Sequence, residues 1–249
     1  MGSAGAPPDR PVVVLCGGRG TRLGAGRELP KPLTPIGGRP ILQHVVELYA
    51  AQGARRFLLA TGYRAPLVAE AVAGIAWPAG VEVACVDTGP DTETGGRVHR
   101  LRDRLDGEPF HLTYGDGVAD VRLDALEAAH AAGGRTATIT VVRPELPFGV
   151  ADLAPDGAIV GFREKPRTTH WINAGFMRLE PDVFDVLDAD CVLEREPFER
   201  LAAAGRLQSH RHDGFWACMD TYKDALRLNA LWDAGAAPWA PVPAGGAAD

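Results

Sequence analysis

Cysteine is scarce in the sequence, and its few residues are widely separated. The four cysteines form no Cys-x-x-Cys pair, so neither a metal–thiolate site nor a disulfide framework is expected. Three of them lie within apolar runs, where buried free thiols are common. Because free thiols persist in a reducing compartment, we expect a cytoplasmic protein. The four residues are Cys16, Cys85, Cys191 and Cys218.

Long apolar runs are also missing. No run approaches the roughly 20 apolar residues that cross a bilayer, and residues 1–10 lack the apolar core of a secretion signal. We therefore expect no membrane partner. Residues 1–10 and 240–249 are rich in Ala, Gly and Pro, which predicts a loose leader and tail around a single domain at 11–239.

Basic residues are neither in excess nor clustered. The formal net charge is -6, and Lys and Arg are scattered along the chain, so nucleic acid is not expected as a partner. The apolar fraction of 46% is ordinary for a globular protein.

Apolar strands alternate with helical patterns in the first half of the chain. Residues 11–16 are apolar and rich in valine, which is typical of a strand buried in a parallel sheet. Strands separated by helices at this spacing predict right-handed βαβ units. We expect an α/β fold with a Rossmann-like, doubly wound mixed sheet flanked by helices. The further strands are predicted at 56–61, 81–86 and 110–114, and the helices at 40–53, 65–73 and 94–105.

After residue 137 the pattern changes to strands joined by short turns. We expect these strands to form a smaller mixed-sheet extension that receives a second substrate. They are predicted at 137–143, 149–153, 158–164 and 171–179, with helices near 181–187, 193–204 and 221–232 and another strand pair before the last helix.

A glycine-rich turn, residues 17–22 (Gly-Gly-Arg-Gly-Thr-Arg), follows the first strand. Glycines let backbone N–H groups approach phosphate oxygens without hindrance from a Cβ atom. The turn does not fit the dinucleotide pattern G-x-G-x-x-G, because its last position is Leu23, and it lacks the Gly-Lys-Ser/Thr of a Walker loop. A tight turn that binds nothing is the alternative interpretation.

Two cations near this turn favour a triphosphate. Arg22 carries a planar fork of donors suited to phosphate. Lys31 lies between Pro30 and Pro32, which stiffen the backbone around it. A rigidly held lysine points at one place, whereas a solvated surface lysine gains nothing from such rigidity.

The turn and the Pro-Lys-Pro segment together resemble the signature of nucleotidylyltransferases that make NDP-sugars. Further motifs follow in the same order as in glucose-1-phosphate cytidylyltransferases, to which the chain is similar over about residues 11–239. These motifs are Thr94-Gly-Gly-Arg97, Gly115-Asp-Gly117, Glu164-Lys-Pro166, Asn173-Ala-Gly175 and Met219-Asp-Thr221.

The resemblance implies that CTP reacts with a sugar 1-phosphate, above all α-D-glucose 1-phosphate, to give a CDP-sugar and pyrophosphate. It also implies Mg²⁺ as cofactor, held by Asp116 and Asp220, and a homo-oligomer. The expected catalytic cations are Arg22, Lys31 and Lys165. The expected nucleotide contacts are Gly17, Gly18, Gly20, Thr21, Arg22, Thr94, Gly95, Gly96, Tyr114 and Gly115, with Glu93 and Arg97 beside the base. The expected sugar-phosphate contacts are Glu164, Lys165, Asn173, Gly175 and Trp216.

The reaction needs charge rather than a general base. A sugar phosphate has a second pKa of about 6, so it is already mostly ionised at neutral pH. A triphosphate of about -4 then meets a monoester of about -2. Three cationic side chains and one Mg²⁺ nearly balance that charge, so positioning and charge stabilisation are expected to carry catalysis.

Two departures from the cytidylyltransferase pattern leave alternatives open. The stretch between Tyr63 and Val86 is shorter than in those enzymes, which bears on assembly and on the sugar. Residues 24–30 lack a second Lys-Pro that the family often has. The alternatives are the same reaction with UTP, dTTP, GTP or another sugar, and a silent NDP-sugar-binding homologue. The presence of both aspartates, Asp116 and Asp220, disfavours the silent homologue.

Overall fold

The computed structural model describes residues 9–20 and 29–241. Its central strand, β1 (Val12–Leu15), is buried along its whole length. β1 is paired with a strand on each edge and carries apolar clusters on both faces. A strand in that position has no solvent side, which explains why it contains only valine and leucine. The strand predicted at 11–16 is confirmed.

Within the described residues the strands after β1 are, in chain order, β2 (Pro35–Ile36), β3 (Arg39–Pro40), β4 (Arg56–Thr61), β5 (Glu82–Asp87), β6 (Phe110–Tyr114), β7 (Gly117–Ala119), β8 (Ala137–Val142), β9 (Val150–Leu153), β10 (Ile159–Arg163), β11 (Ile172–Leu179), β12 (Leu207–Arg211) and β13 (Trp216–Cys218). Seven of the strands form the main sheet, in the order β5-β4-β1-β6-β11-β8-β12. Strands β5, β4, β1 and β6 are parallel, whereas β11 runs antiparallel to both β6 and β8. The predicted mixed α/β sheet is confirmed.

The helices divide between the two faces of this sheet. Alternate residues of β1 point to opposite faces, so Val12 and Val14 join one apolar cluster while Val13 and Leu15 join the other. The helices are α1 (Ile41–Ala51), α2 (Ala65–Ala73), α3 (Thr94–His99), α4 (Arg102–Leu105), α5 (Leu123–Gly133), α6 (Glu196–Ala203) and α7 (Tyr222–Asp233), with short 3-10 helices at Lys31–Leu33 and Pro181–Asp185.

The second half of the chain differs from expectation in how its strands are used. Strands β8, β11 and β12 extend the main sheet, and β9 and β10 form a separate antiparallel pair. Strand β13 pairs with β7, far from it in sequence. The smaller extension is therefore mainly the β9–β10 hairpin together with the connections at its base.

Three predicted helices have different limits or character. The helix expected at 94–105 divides into α3 and α4, and the one expected at 181–187 is a 3-10 helix over Pro181–Asp185. The helix expected at 193–204 begins only at Glu196. Its second residue is Pro197, which has no N–H to donate and so suits the first turn of a helix.

A buried charge network joins α5 to the main sheet. Arg178 on β11 is only 2% exposed, and its Nε lies 3.1 Å from a carboxylate oxygen of Glu127 on α5. His111 on β6 lies 3.0 Å from the same carboxylate, and Glu180 lies 3.1 Å from Arg178 Nη2. Burial acts to raise the pKa of Glu127, but the hydrogen bond from His111 and the charges of His111 and Arg178 outweigh it and lower that pKa to about 2.

Further expectations concern the ends of the chain, membrane-spanning helices and the cysteines. Most of the expected leader and tail, residues 1–8 and 242–249, lies outside the described residues. No helix in the described part of the chain has the length and apolar character needed to span a bilayer. All four cysteines are free thiols.

Candidate functional site

The glycine-rich turn opens into a cavity at the carboxyl ends of the parallel strands. In α/β sheets, ligands bind at this edge, where the loops after the strands converge. The cavity has a volume of about 450 Å³. Its walls are formed by Leu15, Cys16, Gly17, Gly18, Gly20, Lys31, Pro32, Thr92, Glu93, Thr94, Arg97, Tyr114, Gly115, Asp116 and Glu194.

Close packing explains two of the loop glycines. A Cβ atom on Gly17 would collide with the Arg97 guanidinium. Gly20 has a φ of +62°, and a Cβ there would lie 2.9 Å from Lys31 Cβ, so a side chain would be strained and crowded at once. The predicted contacts Thr21 and Arg22 lie outside the described residues.

Arg97 fixes the loops around the cavity. Its Nη1 donates to Thr61 O at 3.0 Å, to Thr88 Oγ1 at 2.7 Å and to Gly89 O at 2.8 Å, and its Nη2 donates to Gly17 O at 2.9 Å. Burial lowers the pKa of the guanidinium, although an arginine stays charged in proteins. The residue therefore joins the ends of β1, β4 and β5 and also gives the cavity a positive wall.

Lys31 forms ion pairs with both predicted metal ligands, Asp116 and Asp220. Its Nζ contacts Asp116 and lies 2.6 Å from Asp220 Oδ1. Burial acts to lower the pKa of Lys31, but the two carboxylates outweigh it and raise that pKa above its ordinary value. The side chain is thus an ammonium group held between two carboxylates.

Strand pairing brings the two aspartates together. Asp116 lies between β6 and β7, and Asp220 lies two residues after the end of β13. Strands β7 and β13 pair antiparallel with Cys218 opposite Gly117, and Met219 N donates to Asp116 O at 2.9 Å. The ladder therefore fixes how far apart the two carboxylates are.

Cys218 is an unexpected member of this cluster. Ligand atoms of Asp116, Cys218 and Asp220 all lie within 4.8 Å of one another, and together these side chains could hold a metal ion. Burial, followed by the charge of Asp116, raises the pKa of Cys218. The two carboxylates are hard oxygen donors of the kind that Mg²⁺ prefers, and a thiol is not.

Glu194 is a polar residue of the cavity that sequence reasoning missed. Its carboxylate accepts hydrogen bonds from Tyr114 Oη and, at 2.6 Å, from Thr94 Oγ1. Asn173 Nδ2 in turn donates to Tyr114 Oη at 3.1 Å. Glu194 lies in a charged stretch just before α6, where acidic residues are common near a helix start, so its sequence gives no sign of this role.

The predicted sugar contacts separate into two groups. Asn173 and Gly175 contact Tyr114, since Asn173 donates to its hydroxyl and a Cβ on Gly175 would collide with its ring. Trp216 Nε1 donates to Ala174 O at 2.9 Å, between these two residues in the chain. Glu164 and Lys165 instead follow the β9–β10 hairpin and are exposed, with side-chain exposures of 65% and 54%. No contact of either with the aspartate cluster is present in the described ranges.

Gly95 and Gly96 pack against another loop. A Cβ on Gly95 would lie 2.5 Å from Cys191 Sγ, and one on Gly96 would collide with Ala189 O. The Gly96 N–H donates to Cys191 O at 3.1 Å. That N–H is therefore bonded to Cys191 O, and the lack of side chains at the two glycines also allows the close approach of the loop that carries Glu194.

Comparisons with known proteins identify the family to which the chain belongs. The family model described as Nucleotidyl transferase matches residues 11–236. A glucose-1-phosphate cytidylyltransferase of Salmonella typhimurium is 38% identical over 92% of this chain and 98% of its own. A mannose-1-phosphate guanyltransferase of Saccharomyces cerevisiae is 32% identical over 88% of this chain and 64% of its own.

A solved structure supports the fold. HddC from Yersinia pseudotuberculosis, complexed with GMP-PN, superposes with a TM-score of 0.72 over 90% of this chain and 99% of its own. Its sequence identity is 20%, so the likeness concerns the fold alone.

Proposed function

This chain is a member of the nucleotidyl transferase family, and from that membership we propose that it transfers a cytidylyl group from CTP to a sugar 1-phosphate. The preferred sugar is α-D-glucose 1-phosphate, as in the name of the Salmonella relative, and the products are a CDP-sugar and pyrophosphate. The observation that carries the proposal is the meeting of Lys31, Asp116 and Asp220 beside the glycine-turn cavity.

The reaction is an in-line displacement at the α-phosphorus of CTP. A phosphate oxygen of the sugar phosphate forms the new bond to that phosphorus, and the bond to the bridging oxygen of pyrophosphate breaks. The glycine turn offers backbone N–H groups to the triphosphate, and Lys31 and Arg22 supply positive charge. No proton needs to be removed from the attacking oxygen.

The metal in this proposal is Mg²⁺, held by Asp116 and Asp220. Two carboxylates suit this ion, which takes its remaining ligands from phosphate oxygens and water. When bound, the ion neutralises phosphate charge and stabilises the charge that develops as pyrophosphate leaves.

Arg97 supports the choice of cytosine among the pyrimidines. A guanidinium carries five N–H groups. The two on Nη1 serve Thr61, Thr88 and Gly89, and one on Nη2 serves Gly17, so no hydrogen bond within the described residues takes the Nε–H or the second N–H of Nη2. Cytosine presents two adjacent acceptors, O2 and N3, to a donor in the cavity wall. Uracil and thymine carry a proton on N3, so a cationic donor would face another donor there.

The sugar side rests on Lys165 and on the polar cluster around Tyr114. Lys165 has a φ of +46°, a conformation that costs a non-glycine residue about 1 kcal/mol and is often found at functional sites. We assign it to the sugar phosphate. Tyr114, Asn173 and Glu194 form a hydrogen-bonded group at the cavity wall, and such groups can bind sugar hydroxyls.

A pyrophosphate-release assay with CTP, UTP, dTTP and GTP tests the proposal. With glucose 1-phosphate and Mg²⁺, we expect kcat/KM for CTP to exceed that for UTP by at least about tenfold, the lower range for loss of a bidentate base contact. Turnover with UTP or dTTP but not with CTP would contradict the assignment of the base. Absence of turnover with every nucleotide and several sugar 1-phosphates, despite tight NDP-sugar binding, would favour a silent homologue.

We also propose that the protein is a homo-oligomer, formed in the cytoplasm, where its four free thiols stay reduced. Exposed apolar residues on and just before the β9–β10 hairpin support the oligomer: Phe148 is 74% exposed, Ile159 64% and Phe162 64%. Phe162 lies opposite Ala151 and Ile159 lies opposite Leu153, and residues 151 and 153 point to the same side of β9. Exposed apolar groups gathered in this way are typical of interfaces.

Light scattering coupled to size exclusion measures the assembly. Phe162→Glu is expected to reduce the mass towards that of one chain, because a charge would be buried in the interface. The matched control is Leu226→Glu on α7, where the native residue is also apolar and 52% exposed. A monomeric wild-type protein, or equal effects of the two substitutions, would argue against the hairpin as the interface.

A further inference from the structure

The ammonium group of Lys31 occupies the place that the proposed function gives to a metal ion. Its Nζ contacts a carboxylate oxygen of Asp116 and lies 2.6 Å from Asp220 Oδ1. The Lys31 side chain is only 13% exposed, against 21% for Asp116 and 33% for Asp220. The cation is thus the most buried group of the three and lies between the two carboxylates.

A lysine and a divalent cation compete for these oxygens. Mg²⁺ requires short, well-directed bonds to carboxylate oxygens, and an ammonium group bonded to both carboxylates takes up the same lone pairs. Two cations held within a few ångströms of each other also repel strongly at a partly buried site. One of them has to leave before the other can bind.

A triphosphate offers Lys31 another set of oxygens. Lys31 lines the same cavity as Gly17, Gly18 and Gly20, so its side chain can turn from the carboxylates towards phosphates bound at the glycine turn. Its backbone is fixed by Pro30 and Pro32 in and beside a short 3-10 helix, whereas its four-carbon side chain is flexible. The backbone of Lys31 therefore stays in place while its ammonium group can change partners.

We propose that Lys31 is a tethered counter-ion that keeps divalent cations off Asp116 and Asp220 until a nucleotide draws it away. The nucleotide-free protein therefore binds metal weakly, and binding of metal and nucleotide is positively coupled, by the same factor in either direction. The proposal rests on the proposed function, because that function places the metal at the two aspartates. It gives Lys31 a second task besides holding phosphate.

Mn²⁺ titration of the nucleotide-free protein, followed by the electron paramagnetic resonance signal of free Mn²⁺, tests the proposal. Mn²⁺ favours the same oxygen ligands as Mg²⁺. We expect Lys31→Met to bind Mn²⁺ at least tenfold more tightly than the wild type, although the residue removed is one we assign to catalysis. Lys31→Arg keeps the positive charge and is expected to stay as weak as the wild type.

Lys223→Met is the matched control for general loss of positive charge. Lys223 is exposed on α7, three residues after Asp220, and its removal is expected to change Mn²⁺ affinity less than twofold. Equal gains in Lys31→Met and Lys223→Met would overturn the counter-ion proposal, because an exposed charge outside the Lys31–Asp116–Asp220 cluster would then act as strongly as Lys31.

Asp116→Asn separates failure of this proposal from failure of the proposed function. Combined with Lys31→Met, it is expected to abolish the gain in affinity. If Asp116→Asn weakens Mn²⁺ binding but Lys31→Met binds like the wild type, the metal site stands and the counter-ion role is wrong. If Asp116→Asn changes Mn²⁺ binding in neither background, the metal site of the proposed function is itself wrong.

Thermal melting gives a second readout that does not depend on catalysis. Without metal, Lys31→Met leaves two carboxylates facing each other and is expected to melt below the wild type. Mg²⁺ is then expected to raise its Tm more than it raises the wild-type Tm, because ligand binding to the folded state stabilises it. If Lys31→Met does not fold, Lys31→Gln carries the same expectations. An equal rise in variant and wild type would count against the proposal.

Discussion

Asp116→Asn is expected to lower kcat/KM for CDP-glucose formation by about a hundredfold to a thousandfold. The amide keeps the shape of the side chain but removes the charge that would hold Mg²⁺ and that now pairs with Lys31. Displacement at phosphorus depends on charge stabilisation more than on proton transfer, and loss of one preorganised group of this kind costs about that factor. Asp220→Asn is expected to behave alike.

Pyrophosphate release measured at saturating CTP and varied glucose 1-phosphate checks this prediction. Asp103→Asn on α4 is the matched control, since Asp103 is an exposed carboxylate outside the cavity. The activity of this variant is expected to stay within about twofold of the wild type. Activity of Asp116→Asn within tenfold of the wild type would show that the site is misplaced.

Chelation of divalent ions is expected to abolish wild-type activity. Lys165→Ala is expected to raise KM for the sugar phosphate and to leave KM for CTP unchanged.

Arg178→Met is expected to destabilise the protein by about 3–5 kcal/mol, the usual cost of removing one partner from a buried ion pair. Arg178 is 2% exposed, and Glu127, the carboxylate it pairs with, is 14% exposed. Without the guanidinium, Glu127 keeps its charge in a poorly hydrated place, with Arg10 and His111 as its remaining partners. Urea unfolding at neutral pH measures the change in the free energy of unfolding.

Arg56→Met is the surface control for this substitution. Arg56 also pairs with a glutamate, Glu108, but the two side chains are 42% and 45% exposed, so its loss is expected to cost less than about 1 kcal/mol. Combining Arg178→Met with Glu127→Gln is expected to cost less than the sum of the single changes, since the carboxylate charge that Arg178 compensates is then also absent. Additive costs would mean that the two residues do not act as a pair.

The lowered pKa of Glu127 predicts how the free energy of unfolding depends on pH. The pKa of Glu127 is lowered from 4.5 to about 2, so the folded state favours its ionised form. The stabilisation is complete above pH 4.5 and is lost as pH falls from there towards 2. It amounts to about 3 kcal/mol, because each tenfold change in a protonation equilibrium corresponds to about 1.4 kcal/mol. Glu127→Gln should therefore lose less stability over this range than the wild type.

The sequence by itself determined the elements of the fold and the chemical character of the site. Apolar runs and their periodicity located β1, β4, β6 and α2 closely, because burial on one or two faces of an element is written into its own residues. Motifs indicated Lys31, Asp116 and Asp220 without any structure. Each of these inferences depends on residues close to one another in the chain.

Tertiary structure decided which of these groups meet. The pairing of β7 with β13 brings Asp220 and Cys218 to Asp116, and no local pattern specifies that ladder. Residues 189–194 pack closely on Gly95 and Gly96 of α3, and this packing places Glu194 in the wall of the cavity. Such contacts join segments far apart in sequence, so they depend on how whole helices and strands pack. The periodicity of a single segment does not indicate which distant segment it will contact.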